Sequence, residues 1–396
     1  MIAAWADILI NLVAAIGLSI LAYQLLGKDN RTLIEKHIGH VVIAAGVLVS
    51  FRAFFWIDSL KWLEAVSLFA AILIPMLILI ATEQLLRRHA HFCLKILAAG
   101  WVLSGFLMMI AGRPEPLFTY ANAAMQFFIP AISIIWILSR DRQQYTDAEN
   151  RNFMSFIFAL SFIMLLSFTD FPTLIILPVR LGAVGMLIVC YILVFAYDRK
   201  FSPLRAWFEL VAISSITCVF YLLTRLVLES AQVIDLIRLS VLLFCLLLLT
   251  VIIVRVCGRR FEFQEFSNET ISKARTDKIE HFLEDTLMSR VSTEAHLLNA
   301  ESLRDYNLDL MAQLFEDKTV ITQRSLEDLQ TNSPSLVIEQ IKDLMHRYKA
   351  THAIFISGAA PQILLSAAPL MNDAHEQDAY FNVVAKMAHL INQKPH

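Results

Sequence analysis

Residues 239–260 read LSVLLFCLLLLTVIIVRVCGRR, an apolar run that ends in Arg255, Arg259 and Arg260. A helix needs about 20 mainly apolar residues to cross the hydrocarbon core of a bilayer, and basic residues gather at the cytoplasmic ends of such helices. The segment 239–257 therefore predicts a transmembrane helix whose carboxyl end faces the cytoplasm.

The composition of the whole chain is also typical of a membrane protein. Hydrophobic residues make up 57% of the 396 residues and charged residues 17%, whereas soluble domains hold about 25% charged residues. The mean hydropathy is +0.61. Residues 1–257 hold the long apolar runs, and 258–396 have the composition of a soluble domain. A formal net charge of −2 argues against nucleic acid as a partner, so the expected surroundings are the lipid bilayer and water.

Nine apolar segments have lengths near that of a span. The candidate spans are 2–26, 38–57, 65–86, 94–112, 117–139, 152–168, 179–197, 206–228 and 239–257. The boundary is weakest at 169–180, where Asp170, Pro172 and Pro178 interrupt the helical pattern. The sequence therefore predicts an all-α polytopic membrane bundle of about nine transmembrane helices over residues 1–257.

The connecting segments predict the orientation of this bundle. Three Lys or Arg occur in each of the segments 27–37, 87–95, 140–151, 198–205 and 255–260. One occurs in each of the segments 58–64, 113–116, 169–180 and 229–238. These 15 and 4 basic residues alternate along the chain, and the basic side is the cytoplasmic side. The N-terminus is therefore expected outside and the C-terminal part inside.

The C-terminal third divides into two predicted regions. Residues 258–317 are charged and rich in helix-forming residues, which indicates a cytoplasmic linker or signalling helix that continues from the last span. Residues 318–396 predict a small α+β domain. Its expected elements are a strand at Lys318–Thr322, a helix beginning at Ser333-Pro334, strands at His352–Ser357 and Gln362–Ser366, and a last helix through Tyr380, Val383, Val384, Met387 and Ile391. A domain this short is expected to pair with a second copy.

Polar side chains within the spans fall mostly in the predicted outer half. Such groups are costly at membrane depth, so they usually face a cavity or a partner. Together with nearby aromatic residues they predict a ligand-binding cavity lined by Arg52, Trp56, Arg113, Tyr120, Asn122, Gln126, Phe127, Phe128, Asp170 and Arg180. The alternative is that these groups reach the outer interface or form structural ion pairs, such as Asp170 with Arg180.

The layout of the chain resembles the sensory half of membrane-bound bacterial histidine kinases. Residues 50–88, with the short outer loop Lys61–Glu64, the interruption at Pro75 and the terminal Arg87-Arg88, are similar to the multi-span sensor region of those kinases. Residues 318–391 resemble a degenerate GAF domain in the order of their elements. Over nearly its whole length the chain is similar to the nine-span quorum-sensing kinases of the Vibrio acyl-homoserine-lactone receptor (LuxN) type.

The resemblance implies a receptor of a two-component system in a bacterial inner membrane, with a periplasmic N-terminus. It also implies a small amphipathic signal such as an acyl-homoserine lactone, a homodimer, and a downstream kinase or response regulator as partner. In that family a phosphoacceptor domain and an ATP-binding domain follow the GAF-like module. Histidine kinase activity is therefore implied only if the native protein continues beyond His396. No catalytic residue, cofactor or metal site is expected within residues 1–396.

Two other functions compete with this reading. A polytopic transporter with a cytoplasmic regulatory domain would usually show internal repeats and polar residues at the middle of the membrane, and the sequence shows neither. A membrane-embedded enzyme that acts on lipid would need a nucleophile, a metal or an acid–base pair near one interface, and no carboxylate here has such spacing. The sequence therefore favours a receptor, with transport as the main alternative.

Overall fold

The fold was analysed in a computed structural model of the chain. The structure describes residues 2–27, 33–111, 117–142, 145, 147–171, 179–196, 203–228, 232–275, 279–287, 294–299, 301–304, 306–317, 320–322, 325–326, 335–348, 350–356, 362–367 and 374–392. They form two compact units. One, the helical unit, consists of residues 1–140 and 152–257. The other consists of 141–151 and 258–396, and its larger part is called the C-terminal module below.

Within the described residues, the helical unit holds nine helices in chain order. They are α1 Ile2–Leu26, α2 Leu33–Asp58, α3 Lys61–Leu86, α4 Phe92–Ile110, α5 Leu117–Leu138, α6 Asp147–Ser167, α7 Gly182–Ala196, α8 Pro203–Val227 and α9 Val233–Lys273. Among the described residues, eight of these helices are long and apolar enough to cross a membrane, all except α7. Each of the nine apolar segments of the sequence is thus helical, and a multi-pass membrane protein fits this architecture.

Helix α7 differs from the other helices in length and in burial. Its 15 residues span about 22 Å at 1.5 Å per residue, less than the roughly 30 Å hydrocarbon core. Most of its side chains are buried in the helical unit, including Leu187, Cys190 and Tyr191. The sequence predicted a longer helix over 179–197. The sequence also predicted an interruption ahead of this helix. That interruption starts with a 3₁₀ turn at Phe168–Asp170.

The outer surface of the helical unit is strongly apolar. Helix α8 illustrates this, because Leu226 and Val227 are 76% and 75% exposed and Leu222 is 59% exposed. Soluble proteins rarely display apolar surface on this scale, because its exposure to water is unfavourable in free energy. These side chains of α8 can remain exposed in a lipid bilayer.

Helix α9 is the longest element and belongs to both units. Of its 41 residues, 25 belong to the helical unit and the last 16, beyond Cys257, to the C-terminal module. Residues 258–317 do not form one helix, which corrects the sequence prediction. After α9 come α10 Ile279–Leu287, strand β1 Glu294–Leu298 and α11 Leu308–Asp317.

The C-terminal module contains a four-stranded antiparallel sheet in the order β1-β4-β3-β2. Strands β2 Val320–Thr322, β3 His352–Ile356 and β4 Gln362–Ala367 confirm the three predicted strands. Strand β1 was not predicted, and its residue Leu297 pairs with Leu364 at the edge of the sheet. Helices α12 Ser335–Arg347 and α13 Ala374–Asn392 complete the module.

Each face of the sheet is covered by two helices, as the two-residue period of a strand requires. Ala353, Ile363 and Leu365 pack with buried residues of α11 and α12. Ile354, Ile356 and Leu364 point to the other face and pack with α10 and α13. In α13 the buried side chains include Tyr380, Phe381, Val384, Ala388 and Ile391. Val383 is 43% exposed, so the predicted apolar face of this helix is shifted.

The end of α9 is built into this module. Ile271 and Ala274 pack against the core that contains Phe282 and Ile354. Arg275 donates to Asp285 from its backbone N–H at 3.0 Å and from Nε and Nη2 at 2.9 Å each. These hydrogen bonds from the Arg275 side chain lower the pKa of Asp285 to about 2. The turn between α9 and α10 is therefore held by a bidentate ion pair.

Asp285→Asn is expected to loosen this turn at neutral pH, because the amide cannot replace the bidentate carboxylate. Hydrogen exchange of the full chain in nanodiscs should become faster in residues 279–287. Glu301→Gln is the control, since Glu301 and Arg304 form an exposed pair at 3.5 Å. Equal exchange in the wild type and in Asp285→Asn would contradict this role.

The pH dependence of the same contact has a defined sign. A carboxyl with a lowered pKa in the folded state stabilises that state above its ordinary value of 3.8. The stabilisation is lost as the pH falls from 3.8 towards 2. Acidification from about pH 7 to about pH 5 should therefore leave this contact intact in wild-type protein.

Candidate functional site

Asp170 occupies the centre of a polar cluster at the end of the helical unit where α2 ends and α3 begins. Its Oδ2 accepts a hydrogen bond from Arg52 Nη1 of α2, which makes an ion pair across 118 residues. Its Oδ1 accepts from the backbone N–H of Gly182 at 3.1 Å. The side chains of Arg52 and Asp170 are 21% and 9% exposed. The carboxylate thus neutralises a partly buried cation and caps the first turn of α7.

The sequence allows this approach because residue 182 is glycine. A Cβ at Gly182 would collide with the carboxylate of Asp170. Thr169 adds a second contact in the same turn, because its Oγ1 accepts from the N–H of Leu181 at 2.6 Å. Gly185 lies one turn later, and a Cβ there would be 3.1 Å from Leu166 Cβ of α6. The segment Gly182–Gly185 therefore fits both α6 and the polar cluster closely.

Arg180 lies in the same cluster but does not pair with Asp170. Its Cζ is over the ring of Trp56, 5.1 Å from the centroid. This distance is within the range of a cation–π contact. The structural pair that the sequence suggested, Asp170 with Arg180, is replaced by Asp170 with Arg52. Trp56 and Arg180 instead form an aromatic and basic patch next to that pair.

Three aromatic rings connect α5 to the same turn. Phe127 of α5 stacks on Phe168 with centroids 3.7 Å apart, and Phe171 lies edge-on to Phe127 at 6.1 Å. The preceding residue, Gln126, donates from Nε2 to the carbonyl of Ala71 in α3 at 3.4 Å. Through Asp170 the 3₁₀ turn thus binds Arg52 of α2 and the first backbone N–H of α7. Through Phe168 it stacks on α5.

Asp7 and Arg238 extend the cluster to α1 and α9. Asp7 of α1 lies within electrostatic range of Arg238 of α9, of Arg180 and of Asp170, although among the described residues it forms no ion pair with them. Asp7 was not among the predicted site residues, although an acidic side chain in the first apolar run was a readable signal. Its inclusion brings the amino end of α9 into the site.

The other predicted site residues are distributed more widely. Tyr120 and Phe128 are 47% and 48% exposed on α5, where lipid would contact them. Asn122 is buried, and its Oδ1 has no hydrogen-bond partner among the described residues. Arg113 lies outside the described residues. The structure therefore brings together Arg52, Trp56, Asp170, Arg180 and Phe127, with Gln126 beside them.

A second polar node lies about 25 Å further along α9 and was missed in the sequence. Glu209 of α8 accepts from Arg255 Nη2 of α9 at 2.7 Å and from Arg205 Nε at 3.3 Å. The buried hydroxyl of Tyr191 in α7 donates to Glu209 Oε2, or to the carbonyl of Ala206, at 3.2 Å in each case. An acidic residue inside an apolar segment, with arginines before it and in the next helix, was the available signal.

A similar contact closes the turn between α3 and α4. Glu83 Oε1 accepts from Lys95 Nζ at 2.7 Å and from the N–H of Ala90. Both partners lie within twelve residues of Glu83, so this is a local structural contact. Within the part of the chain that the structure covers, no group of three or more His, Cys, Asp or Glu residues could hold a metal ion.

Comparison with known proteins gives no further assignment. No protein-family model, no curated protein and no solved structure matches the chain. The function has to be argued from the geometry of the polar cluster and from α9.

Gly182→Ala is expected to destabilise the helical unit, because the added methyl group displaces Asp170 from Arg52 and from the first turn of α7. Overpacking of this kind costs about 1–3 kcal/mol. The matched control is Gly100→Ala in α4, where a Cβ would meet nothing within 4 Å. That control should be neutral or slightly stabilising, because alanine favours helix. The thermal unfolding midpoints of both variants in nanodiscs measure this, and equal midpoints would contradict the packing argument.

Proposed function

We propose that the protein is a membrane receptor that binds a small amphipathic molecule at the Asp170 cluster and passes a packing change along α9. The observation that carries the proposal is the continuity of α9. Arg238 near its amino end lies within electrostatic range of Asp7, and Ile271 near its carboxyl end packs in the core of the C-terminal module. One helix thus joins the candidate ligand site to the candidate output domain.

The chemistry of the cluster suits an amphipathic ligand. Arg180 and Trp56 offer a cation beside an aromatic surface, and Phe127, Phe168 and Phe171 supply an apolar wall. A ligand with a polar head and an acyl chain would place its head at the arginines and its chain among the aromatic side chains or in lipid. Acyl-homoserine lactones, suggested by the resemblance to quorum-sensing receptors, have this shape.

Two charged side chains of α9, Arg238 and Arg255, would fix the position of this helix. Arg238 and Arg255 are 17 residues apart, which puts them about 100° apart around the helix axis. Glu209 pairs with Arg255 on one face of α9, and Arg238 on another face lies within electrostatic range of Asp7. A rotation or an axial shift of α9 has to change at least one of these contacts. A ligand that alters the cluster would therefore shift α9 if it binds one position better than the other.

The charge distribution and the layout of the chain support a membrane location, an orientation and a signalling pathway for this receptor. The alternation of basic loops supports an N-terminus outside a bacterial inner membrane and a cytoplasmic C-terminal module. The layout supports membership in a two-component pathway, with a homodimer and with a kinase or response regulator downstream. The order of elements in residues 318–396 supports a GAF-like module.

Transport is the competing function, and one observation favours it. The short helix α7, whose amino end meets a buried carboxylate after an interruption, is similar to the discontinuous helices of transporters. The cluster, however, lies at one end of the helical unit, whereas transporter sites lie near the middle of the membrane. The position of the charges therefore favours a receptor.

A thermal-shift screen of the protein in nanodiscs against acyl-homoserine lactones and related amphipathic molecules tests the receptor function. A binding molecule should raise the unfolding midpoint, and Arg52→Ala should abolish the rise because Asp170 then loses its partner. A screen without any shift, together with substrate uptake into proteoliposomes, would contradict the receptor and support a transporter.

Glu209→Gln is expected to separate binding from response. The midpoint shift caused by a ligand from the screen should persist, because Glu209 is remote from the cluster. The ligand-induced change in hydrogen exchange of residues 258–273 should fall by more than half, because Arg255 then lacks a charged partner on α8. Arg205→Ala is the matched control, since its contact to Glu209 is longer and exposed. An equal response in wild type and Glu209→Gln would contradict the role of this node.

A further inference from the structure

Within the part of the chain that the structure describes, the hydrogen-bond donors of Arg180 are unused. A guanidinium carries five N–H donors, and within the described residues none of those of Arg180 makes a hydrogen bond, while its face lies over Trp56. Stacking on an aromatic ring leaves the N–H edge of a guanidinium accessible to an acceptor. The side chain is half-buried, so it is held in place but still reachable.

The neighbouring carboxylate is not available to fill this role. Asp170 already accepts from Arg52 with one oxygen and from Gly182 with the other. If it turned towards Arg180, it would leave Arg52 unpaired and remove the cap of α7. Arg180 therefore makes no hydrogen bond to Asp170, and Asp7, the other carboxylate within its electrostatic range, forms no ion pair with it among the described residues.

The charge of Arg180 points in the same direction. Among the described residues the guanidinium of Arg180 forms no ion pair, and its partner is the ring of Trp56. A half-buried guanidinium without an ion pair attracts an anion more strongly than a neutral group.

We propose that Arg180, stacked on Trp56, is an anion-binding subsite that takes the carboxylate or phosphate head of an amphipathic molecule. The subsite lies within the ligand site of the proposed function and refines it, since it selects an anionic head over a neutral lactone. The anion has two possible sources, a free amphipathic carboxylate or the phosphate of a lipid head group. Both offer the planar or forked oxygen acceptors that a guanidinium binds in pairs.

The free-ligand arm of the test compares decanoate with decanol, which share a chain and differ in head group. In nanodiscs of phosphatidylcholine, decanoate should raise the unfolding midpoint of the wild type and bind with a measurable affinity. Arg180→Ala should weaken decanoate binding about tenfold or more, the range of a charge-assisted bidentate contact. Arg180→Lys should fall between the two, because lysine keeps the charge but loses the fork. Decanol should not distinguish these three proteins.

The lipid arm replaces part of the phosphatidylcholine by phosphatidylglycerol. If the subsite takes lipid phosphate, phosphatidylglycerol should raise the midpoint of the wild type more than that of Arg180→Ala. An effect of decanoate that phosphatidylglycerol abolishes by competition would assign both sources to the same subsite. Either Arg180-dependent effect supports an anion subsite and names its source.

Arg225→Ala is the control for general charge effects, because Arg225 is an exposed arginine of α8. The proposal is overturned if neither anion distinguishes wild type from Arg180→Ala, or if Arg225→Ala loses as much affinity. It is also overturned if decanol binds as tightly as decanoate. These readouts measure binding alone. A missing response in residues 258–273 with binding intact would contradict the receptor function and leave the subsite standing.

Discussion

A charged side chain inside an apolar bundle is costly unless another charge and enough hydrogen bonds compensate it, and the pair of Arg52 with Asp170 is the contact that meets this requirement here. The pair joins α2 to the 3₁₀ turn before α7, and the second oxygen of Asp170 caps α7 itself. The absence of a side chain at Gly182 makes room for that carboxylate. The short helix α7 begins at this carboxylate, and Phe127 stacks on Phe168 of the same 3₁₀ turn.

In the proposed function, helix α9 carries a change in the cluster to the C-terminal module. Its Arg238 lies within electrostatic range of Asp7, its Arg255 pairs with Glu209 of α8, and its Ile271 packs in the core of the C-terminal module. The bidentate contact of Arg275 with Asp285 then fixes the turn into α10. A helix restrained on different faces along its length can transmit a small shift because packed elements move between discrete positions. This is the physical basis of the proposed receptor function.

The sequence was sufficient for the features that depend on local pattern. Within the described residues, each of the nine apolar segments contains a helix, eight of them long enough to cross a membrane, and three strands lie where β-branched and apolar residues cluster between turn signals. Strand β1 was missed because Glu294–Leu298 is a five-residue edge strand in a charged, helix-favouring stretch, and only its pairing with β4 makes it a strand. The partner of Asp170 could not be read because Arg52 is 118 residues away, while Arg180 is closer in sequence. The Glu209 node likewise depends on three helices meeting.

The central claim is that the Asp170 cluster and the C-terminal module are coupled through α9. The most direct measurement is hydrogen exchange of the full-length protein in nanodiscs, wild type against Arg52→Ala, without any ligand. We expect altered exchange in Arg52→Ala both near the cluster and in residues 258–273 and 279–287, with the unfolding still cooperative. A change confined to residues 2–232, with the exchange of α10 and of the last turns of α9 identical in the two proteins, would contradict it.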